Sequence, residues 1–238
     1  MVAFDTVDMG LGVIAGVTRV DTSVLQWPGT SFGITPSADA AHVERSFELL
    51  SETLGVDRKM IVTARQVHGR TVVDVSARGS YAADALVTSA KGLIIGVKLA
   101  DCCGVLLHDA DNHVVASVHS GWRGTAQNIV AAAIQQMKGA YSTNPSRLRA
   151  HMSACASGSV YEVGADVQQV LSTFCNPCGQ GKWTFDNHKA IEQQLLATGL
   201  VEANISADTG CTISDVAYHS FRRDKERSGR MLAFIGFQ

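Results

Sequence analysis

The sequence predicts an α/β fold, in which β-strands alternate along the chain with amphipathic helices. Short apolar runs bounded by turn residues indicate the strands, and apolar residues at helical spacing indicate the helices. The clearest predicted strands are 13–20, 93–107, 114–118 and 231–237, and the clearest predicted helices are 37–55, 126–137 and 190–200. Residues 27–35 are expected to form a surface loop. With 238 residues, of which 46% are hydrophobic, the chain can bury a full core in one large domain.

The composition argues against nucleic-acid and membrane partners. The formal net charge is −2 and the Lys and Arg residues are scattered, whereas binding to phosphate backbones needs a concentrated basic surface. No run of about 18 apolar residues appears, and residues 1–16 lack the basic start and the cleavage site of a signal peptide. We therefore expect a cytoplasmic protein. Its six cysteines are then expected to be thiols or metal ligands rather than disulfides.

The predicted strand 93–107 contains an anomaly. Its apolar pattern is interrupted at 101–104 by the sequence Asp-Cys-Cys-Gly, which a buried strand tolerates only as a bulge or as part of a site. A turn at 109–112 then leads into the strand that ends at His119. A hairpin of this length brings His119 back beside Cys102, so that a thiol and an imidazole lie side by side.

A second histidine, His68, lies in a Gln-Val-His-Gly break between two predicted strands and, taken alone, is most simply a loop histidine. If it converges with Cys102 and His119, two imidazoles and a thiolate form a zinc set whose fourth position stays free for water. The same residues permit a metal-free alternative, in which Cys102 is a nucleophile activated by His119. A purely structural Cys102 is a third interpretation. Asp101 points to the opposite face of a regular strand and acts as a base only if the strand bulges.

Other polar residues have both structural and functional interpretations. The glycine-rich turn 120–125, placed before a predicted helix, indicates an anion pocket because first-turn amides are unpaired. Asp84 fits a supporting or helix-capping role as well as a plain turn. Cys175 and Cys178 form a CxxC pair, but one pair without a partner pair favours an ordinary loop over zinc or redox chemistry. The arginines at 222, 223, 227 and 230 have two interpretations: they form a solvated face, or some of them contact an anionic substrate.

Seven motifs run through nearly the whole chain in the order found in one known family. They are RQVHG at 65–69, ADALVT at 83–88, ADC at 100–102, HSGWRGT at 119–125, YEVG at 161–164, and SFRRD with GRMLAFIG from 220 to 236. With these motifs the chain resembles the multicopper polyphenol oxidoreductase (laccase-like) family, whose members are also called purine nucleoside phosphorylases.

The resemblance implies a fold, a metal and an activity. The fold is one α/β (α+β) domain over residues 1–238, with mixed β-sheets flanked by helices and similar to cytotoxic necrotizing factor. The metal is a zinc ion bound by His68, Cys102 and His119, which are also the expected catalytic residues, with Cu2+ less favoured. The activities are phosphorolysis of adenosine, inosine and guanosine, cleavage of methylthioadenosine and deamination of adenosine. The expected partners are a purine nucleoside and phosphate, and the protein is expected to be a monomer or a small homo-oligomer.

In the mechanism that the resemblance suggests, the nucleoside base lies near the zinc ion, and orthophosphate or water enters beside it. Arg123 and Arg222 are the expected substrate-binding residues, and phosphate is expected to lie against Arg123 and the helix N-terminus after Thr125. Three alternatives stay open. They are a copper-dependent polyphenol oxidase, which the absence of His-x-His pairs disfavours, an amidase that edits peptidoglycan precursors, and a non-catalytic zinc-binding module.

The sequence departs from the family pattern in two places. The family usually has a threonine before Ala-Asp-Cys and a proline soon after it, where this chain has Leu99, Cys103 and Gly104. Residues 153–160 (SACASGSV) replace a segment that usually reads Gly-Pro, then Ile-Gly, with one or two cysteines before Tyr-Glu-Val-Gly. We expect this altered segment to line the active site and to affect substrate preference.

Overall fold

The structure, a computed structural model, describes residues 1–76, 79 and 81–237. Its strands are β1 (Phe4–Thr6), β2 (Val13–Thr18), β3 (Ile61–Thr63), β4 (Val72–Asp74), β5 (Ala85–Thr88), β6 (Ile94–Leu99), β7 (Cys103–Asp109), β8 (Val114–Ser120), β9 (Arg149–Met152), β10 (Glu162–Val163), β11 (Cys175–Gly179), β12 (Lys182–Phe185), β13 (Ile205–Ala207) and β14 (Met231–Phe237). Its α-helices are α1 (Ala40–Leu54), α2 (Trp122–Ala126), α3 (Ile129–Tyr141), α4 (Ala165–Leu171), α5 (Asn187–Ala197) and α6 (Phe221–Asp224). Short 3-10 helices occupy Arg58–Met60, Pro145–Arg147, Ser172–Phe174, Glu202–Asn204 and Lys225–Arg227.

Two large mixed sheets dominate the fold. The first has the strand order β1-β2-β14-β6-β3, in which β3 and β6 pair in parallel and the other neighbours are antiparallel. The second has the order β13-β9-β7-β8-β5-β4, with a parallel pair at each end and antiparallel pairs between them. A smaller sheet, β10-β12-β11, is antiparallel throughout.

The two large sheets pack face to face, and helices cover their outer faces. Ile95 and Ile235 of the first sheet and Leu106 and Val115 of the second belong to the central core between them. Side chains of α3 and α5 pack on the other face of the second sheet, and α1 packs on the outer face of the first. The predicted class, an α/β fold with mixed sheets flanked by helices, is therefore confirmed. Within the described residues, no helix combines the length and the apolar character that crossing a bilayer requires.

Both ends of α1 follow from the sequence. The Asp39 carboxylate accepts a hydrogen bond from the His42 N–H at 2.9 Å and so caps the first turn. Gly55 ends the helix in the left-handed conformation, with φ of 68°. The helix therefore starts after Asp39 rather than at the predicted residue 37.

Two other boundaries differ from the prediction. The predicted helix 126–137 is divided between α2 and α3 at Asn128, whose φ of 57° lies outside the helical region. The predicted surface loop 27–35 is partly buried, because the Phe32 ring packs edge-on against Phe47 with a centroid distance of 5.1 Å. A loop without regular hydrogen bonding thus contributes to the core beneath α1.

The predicted strand 93–107 is in fact two strands in different sheets. β6 ends at Leu99 in the first sheet and β7 begins at Cys103 in the second. The polar residues between them form the connection by which the chain crosses from one sheet to the other, and this explains the interrupted apolar pattern. The crossing places Cys102 at the edge of the sandwich.

The close approach of the sheets at Gly104 gives a first prediction. A Cβ atom at this position would lie 2.6 Å from the Ala233 Cβ and 2.9 Å from the Leu99 Cδ1, so we expect Gly104→Ala to lower the free energy of unfolding by about 1–3 kcal/mol. Gly139→Ala on the exposed side of α3 is the matched control, because it meets open space and gains helix propensity of up to about 1 kcal/mol. Urea unfolding followed by circular dichroism measures both. Equal stability of the Gly104→Ala and wild-type proteins would contradict the packing described.

Candidate active site

A cavity of about 630 Å³ opens at one edge of the two large sheets. Because β3 and β6 are parallel, the segments that follow them emerge at the same edge, one carrying His68 and the other Cys102. In the hairpin of β7 and β8, Cys103 lies opposite Ser120, which brings His119 back to this edge as expected from the sequence. Three separate parts of the chain therefore converge on the cavity.

His68, Cys102 and His119 meet in this cavity. Their candidate ligand atoms lie within 4.8 Å of one another, and the two imidazole rings are 4.9 Å apart at an angle of 87°. His119 is buried, Cys102 is partly exposed and His68 is exposed. The structure thus brings together the three residues that the sequence singled out, in a place open to solvent. Their roles as ligands and catalytic residues stay a prediction.

Unusual backbone conformations accompany this meeting. His68 and Asp101 have φ values of 58° and 82°, a region that residues other than glycine seldom adopt. At Gly121 a Cβ atom would lie 2.6 Å from the Cys102 Sγ, so the absence of a side chain lets the thiol pack against the backbone. Such strain is typical of functional sites, where the surrounding structure holds it in place.

Asp84 holds two of the three residues in position. Its fully buried carboxylate accepts hydrogen bonds through Oδ1 from the His68 N–H and from His119 Nδ1, each at 2.9 Å. Oδ2 accepts from the N–H groups of Gly69 at 2.8 Å and Val67 at 3.3 Å. With Nδ1 bound to a carboxylate, Nε2 is the ring nitrogen of His119 left for a metal, an arrangement typical of metal-binding histidines. Of the roles considered for Asp84, the supporting one matches this geometry.

Cys102 and His119 shift each other's pKa. Burial disfavours the Cys102 thiolate, but the neighbouring His119 and His68 outweigh it and lower the pKa of Cys102 to about 6. Burial also disfavours the His119 imidazolium, but Cys102 and Asp84 raise the pKa of His119 to about 9. Between these values the metal-free protein holds a thiolate beside an imidazolium. This pair suits metal binding after loss of one proton, and it also suits the nucleophilic alternative.

Asp101 has a structural task at the cavity wall. Its Oδ1 accepts a hydrogen bond from the Thr212 hydroxyl at 2.8 Å, and its Oδ2 accepts one from the Arg222 N–H at 2.6 Å. The strand does not continue through Asp101, so the regular alternation that would have turned it away does not apply. The carboxylate instead fixes the start of α6, which carries Arg222.

The cavity carries an excess of positive charge. Five of its lining residues are cationic, namely Arg65, Lys98, Arg123, Arg222 and Arg230. Asp101 is the one acidic residue among the described lining residues. Such a surface attracts anionic ligands. From the sequence, Arg123 and Arg222 are the expected substrate-binding residues, and Arg230 is considered among the arginines of the tail. Lys98 and Arg65 are not singled out there, although Arg65 stands in the RQVHG motif.

Aromatic rings lie beneath the guanidinium groups of Arg123 and Arg222, as Phe221 does beneath that of Arg230, with 5.7 Å from Cζ to the ring centroid. The Arg123 Cζ lies 4.1 Å from the centroid of the Trp122 ring, and the Arg222 Cζ lies 5.3 Å from that of Tyr161. These cation–π contacts hold the charges at the cavity wall while leaving their N–H groups available. Arg223, by contrast, is structural, because its guanidinium donates to the carbonyl oxygens of Thr212 and Tyr218. Arg223 therefore fits neither interpretation of the tail arginines, whereas Arg222 and Arg230 line the cavity, where they can contact an anionic ligand.

Two expectations about the surroundings of the site are wrong. Helix α2 begins at Trp122, so Thr125 lies within it and donates its hydroxyl proton to Asn187 Oδ1 at 2.7 Å instead of preceding a helix N-terminus. The altered segment 153–160 does not line this cavity. It follows β9 and lines a second cavity instead. The CxxC pair lies on β11, away from the donor groups found among the described residues.

Fold and site together define a class of protein, a two-sheet α/β sandwich with a Cys-His-His donor set in a cationic, aromatic-walled cavity. The family model described as multi-copper polyphenol oxidoreductase laccase matches residues 17–238, and the chain belongs to this family. The resemblance inferred from the motifs is therefore confirmed.

Relatives of known name agree with this family. A protein of Corynebacterium glutamicum named purine nucleoside phosphorylase is 34% identical over 205 residues, covering 82% of this chain and 80% of that protein. Another of that name, from Deinococcus radiodurans, is 31% identical over 205 residues, covering 84% of this chain and 79% of its own length. The crystal structure of the hypothetical protein YfiH of Bacillus licheniformis shares the fold, with a TM-score of 0.93, 23% identity, and coverage of 100% of this chain and 97% of that one.

The shifted pKa values predict how zinc affinity depends on pH. Only neutral imidazole and thiolate bind a metal, so above pH 6, where the Cys102 thiolate is already formed, binding still requires a proton to leave His119, whose pKa is about 9. We therefore expect the apparent association constant for zinc to rise about tenfold per pH unit between roughly pH 6 and 9 and then to level off. Competition with a chromophoric chelator measures this slope.

The Asp84→Asn variant tests whether the pKa of His119 sets the pH at which the zinc affinity levels off. The amide keeps an acceptor oxygen but removes the negative charge that raises the pKa of His119, so the levelling-off should occur at a lower pH. A zinc affinity that does not change between pH 6 and 9 in the wild-type protein would show that no proton leaves His119 on binding.

Proposed function

We propose that this chain is a zinc-dependent purine nucleoside phosphorylase acting on adenosine, inosine and guanosine. The observation that carries the proposal is one cavity that combines a Cys-His-His donor set with an excess of cations and three aromatic rings. Phosphorolysis requires an anionic phosphate and a planar purine to bind side by side, and the cavity offers contacts for both. The names of the relatives support the same reaction.

Zinc fits the donors of this site. One thiolate and two imidazoles are among its preferred ligands, and three protein ligands leave a further position open, as in catalytic zinc sites. Cys102, His68 and His119 would hold the ion, with the His119 ring oriented by Asp84. When bound, zinc would act as a Lewis acid that stabilises negative charge on the departing purine.

The chain's own residues would position the two substrates. Arg123 and Arg222 bind orthophosphate through charge-assisted hydrogen bonds, and the rings at the cavity wall contact the purine. A phosphate oxygen forms a bond to C1′ of the ribose as the bond from C1′ to the purine nitrogen breaks. The electron pair leaves with the base, which takes up a proton from solvent, and the products are free purine and ribose 1-phosphate. Burial raises the pKa of Tyr161, so its hydroxyl stays protonated and serves as a hydrogen-bond donor.

The remaining expectations from the resemblance form part of this proposal. They are cleavage of methylthioadenosine, deamination of adenosine, a location in the cytoplasm and the action of residues 1–238 as one domain. Phosphorolysis stands first because the excess of cations favours a phosphate co-substrate, which deamination does not need. Amide hydrolysis of a muramyl precursor, copper-dependent phenol oxidation and non-catalytic zinc binding are the competing functions, and substrate screening with metal analysis separates them.

Loss of a zinc ligand tests the reaction directly. We expect Cys102→Ala and His119→Ala each to lose bound zinc and to lower kcat/KM for hypoxanthine release from inosine by roughly 100-fold or more, because several kcal/mol of charge stabilisation disappear. Release is followed with and without phosphate by absorbance. Cys178→Ala, which removes an exposed thiol outside the cavity, is the matched control and should keep wild-type activity. Undiminished release by the Cys102→Ala and His119→Ala proteins would exclude the metal from the mechanism.

The two arginines give an independent prediction. Removing a charge-assisted hydrogen bond costs about 1.5–3 kcal/mol, so Arg123→Ala and Arg222→Ala should raise the KM for phosphate by roughly 10–100-fold, with a smaller change in the KM for inosine. Arg227→Ala is the control, because Arg227 lies over Trp27 and outside the cavity. An unchanged KM for phosphate in both variants would place phosphate elsewhere.

A further inference from the structure

Cys103, Cys155 and His188 form a second group of metal-donor side chains. Their ligand atoms lie within 4.8 Å of one another, the same limit that contains the first group. The two cysteines are 0% and 2% exposed, whereas the histidine is partly exposed. Because β7, the segment after β9, and α5 each contribute one residue, the tertiary structure alone assembles this group.

The two groups face different cavities. Cys102 lies in the crossing between the sheets and lines the first cavity, whereas Cys103 begins β7 and joins the core on the helix-covered face of the second sheet. Cys155 and His188 line a second cavity, of about 560 Å³, which gives the group access to solvent. Other polar residues that line it include Ser157, Asp186 and Glu192.

Ser153 ties the segments of the second group together. The Gly104 N–H donates to Ser153 Oγ at 2.8 Å, and the Ser153 N–H donates to the Gly104 carbonyl at 2.9 Å, which joins the segment carrying Cys155 to the strand that begins with Cys103. The His188 Nε2 lies 2.8 Å from the Ser153 carbonyl oxygen. The three side chains are therefore held near one another before any ion binds, and this lowers the ordering cost of binding.

Apart from the hydrogen bonds that join Cys103 to Cys155 and to His188, the buried thiols have weak hydrogen-bond partners. The Cys103 Sγ lies 3.6 Å from the Ser153 carbonyl oxygen, and the Cys155 Sγ lies 3.6 Å from that of Ala156. Thiols are weak donors, so little is lost when they become metal ligands. Two thiolates and one imidazole are a donor set that zinc accepts with its fourth position open.

The second group coincides with both departures of the sequence from the family pattern. Cys103 directly follows the Ala-Asp-Cys motif, at the first departure, and Cys155 lies within the altered segment 153–160. The altered residues therefore supply two donors to the second cavity and leave the ligand set of the first cavity intact.

We propose that Cys103, Cys155 and His188 bind a second zinc ion, separate from the one proposed for the first cavity. The fourth coordination position faces the second cavity and is open to water or to a small ligand. The site does not depend on the phosphorylase activity, because it shares no donor with the first group.

Zinc stoichiometry of the full chain tests this proposal. Protein stripped by a chelator under a reducing agent is reloaded with zinc, passed over a desalting column and analysed for zinc and copper by mass spectrometry. We expect two zinc ions per wild-type chain, one for Cys155→Ser, one for His188→Gln, one for Cys102→Ser, and none when Cys155→Ser and Cys102→Ser are combined. The Cys178→Ser protein, in which an exposed cysteine outside both groups is replaced, should keep two zinc ions.

Two results of the metal analysis would contradict the second zinc site. The proposal would be overturned if the wild-type chain bound one zinc ion that Cys102→Ser loses and Cys155→Ser keeps. It would also be overturned if Cys103, Cys155 and His188 took up copper but no zinc from an equimolar mixture. In the Cys102→Ser protein, zinc should raise the melting temperature, and this shift should vanish when Cys155→Ser is added. Because His188 is partly exposed, His188→Gln provides a second variant should Cys155→Ser fail to fold.

Discussion

One buried carboxylate organises the candidate active site. Asp84 accepts three backbone N–H groups of the loop 67–69 and the Nδ1–H of His119, so all its hydrogen bonds stabilise the charged form and offset the cost of burying it. The loop would otherwise leave three amides unpaired, and the His119 ring would be free to turn. The position of His68 and the orientation of His119 therefore have the same physical cause.

The path of the chain between the two sheets supplies the third residue. A strand that simply continued would bury Cys102 in the core, whereas the crossing from β6 to β7 leaves it at the edge of the sandwich, where the cavity opens. Gly104 permits the sheets to approach closely beside this crossing. The tight packing that stabilises the core thus also fixes the thiol against the imidazoles, since core packing and site geometry share the same backbone.

The crossing also separates two adjacent thiols. Cys102 meets two histidines in a cationic cavity, and Cys103 meets a cysteine and a histidine beside a cavity lined partly by Asp186 and Glu192. The first environment has an excess of cations and favours an anionic substrate next to its donors, whereas Asp186, Lys189 and Glu192 give the second no such excess. One dipeptide therefore supplies donors to two sites of different electrostatic character, and a metal in each would face different ligands.

The sequence by itself determined the strand and helix classes, the final strand, the hairpin that brings His119 beside Cys102, and the family, because local periodicity and short motifs are properties of neighbouring residues. Only the tertiary structure decided what depends on distant segments. It divided the strand 93–107 between two sheets, placed Asp84 where it holds the site residues, added Arg65 and Lys98 to the cavity, and turned the segment 153–160 toward His188. These outcomes follow from sheet order and from packing between residues far apart in the chain, which no local pattern encodes.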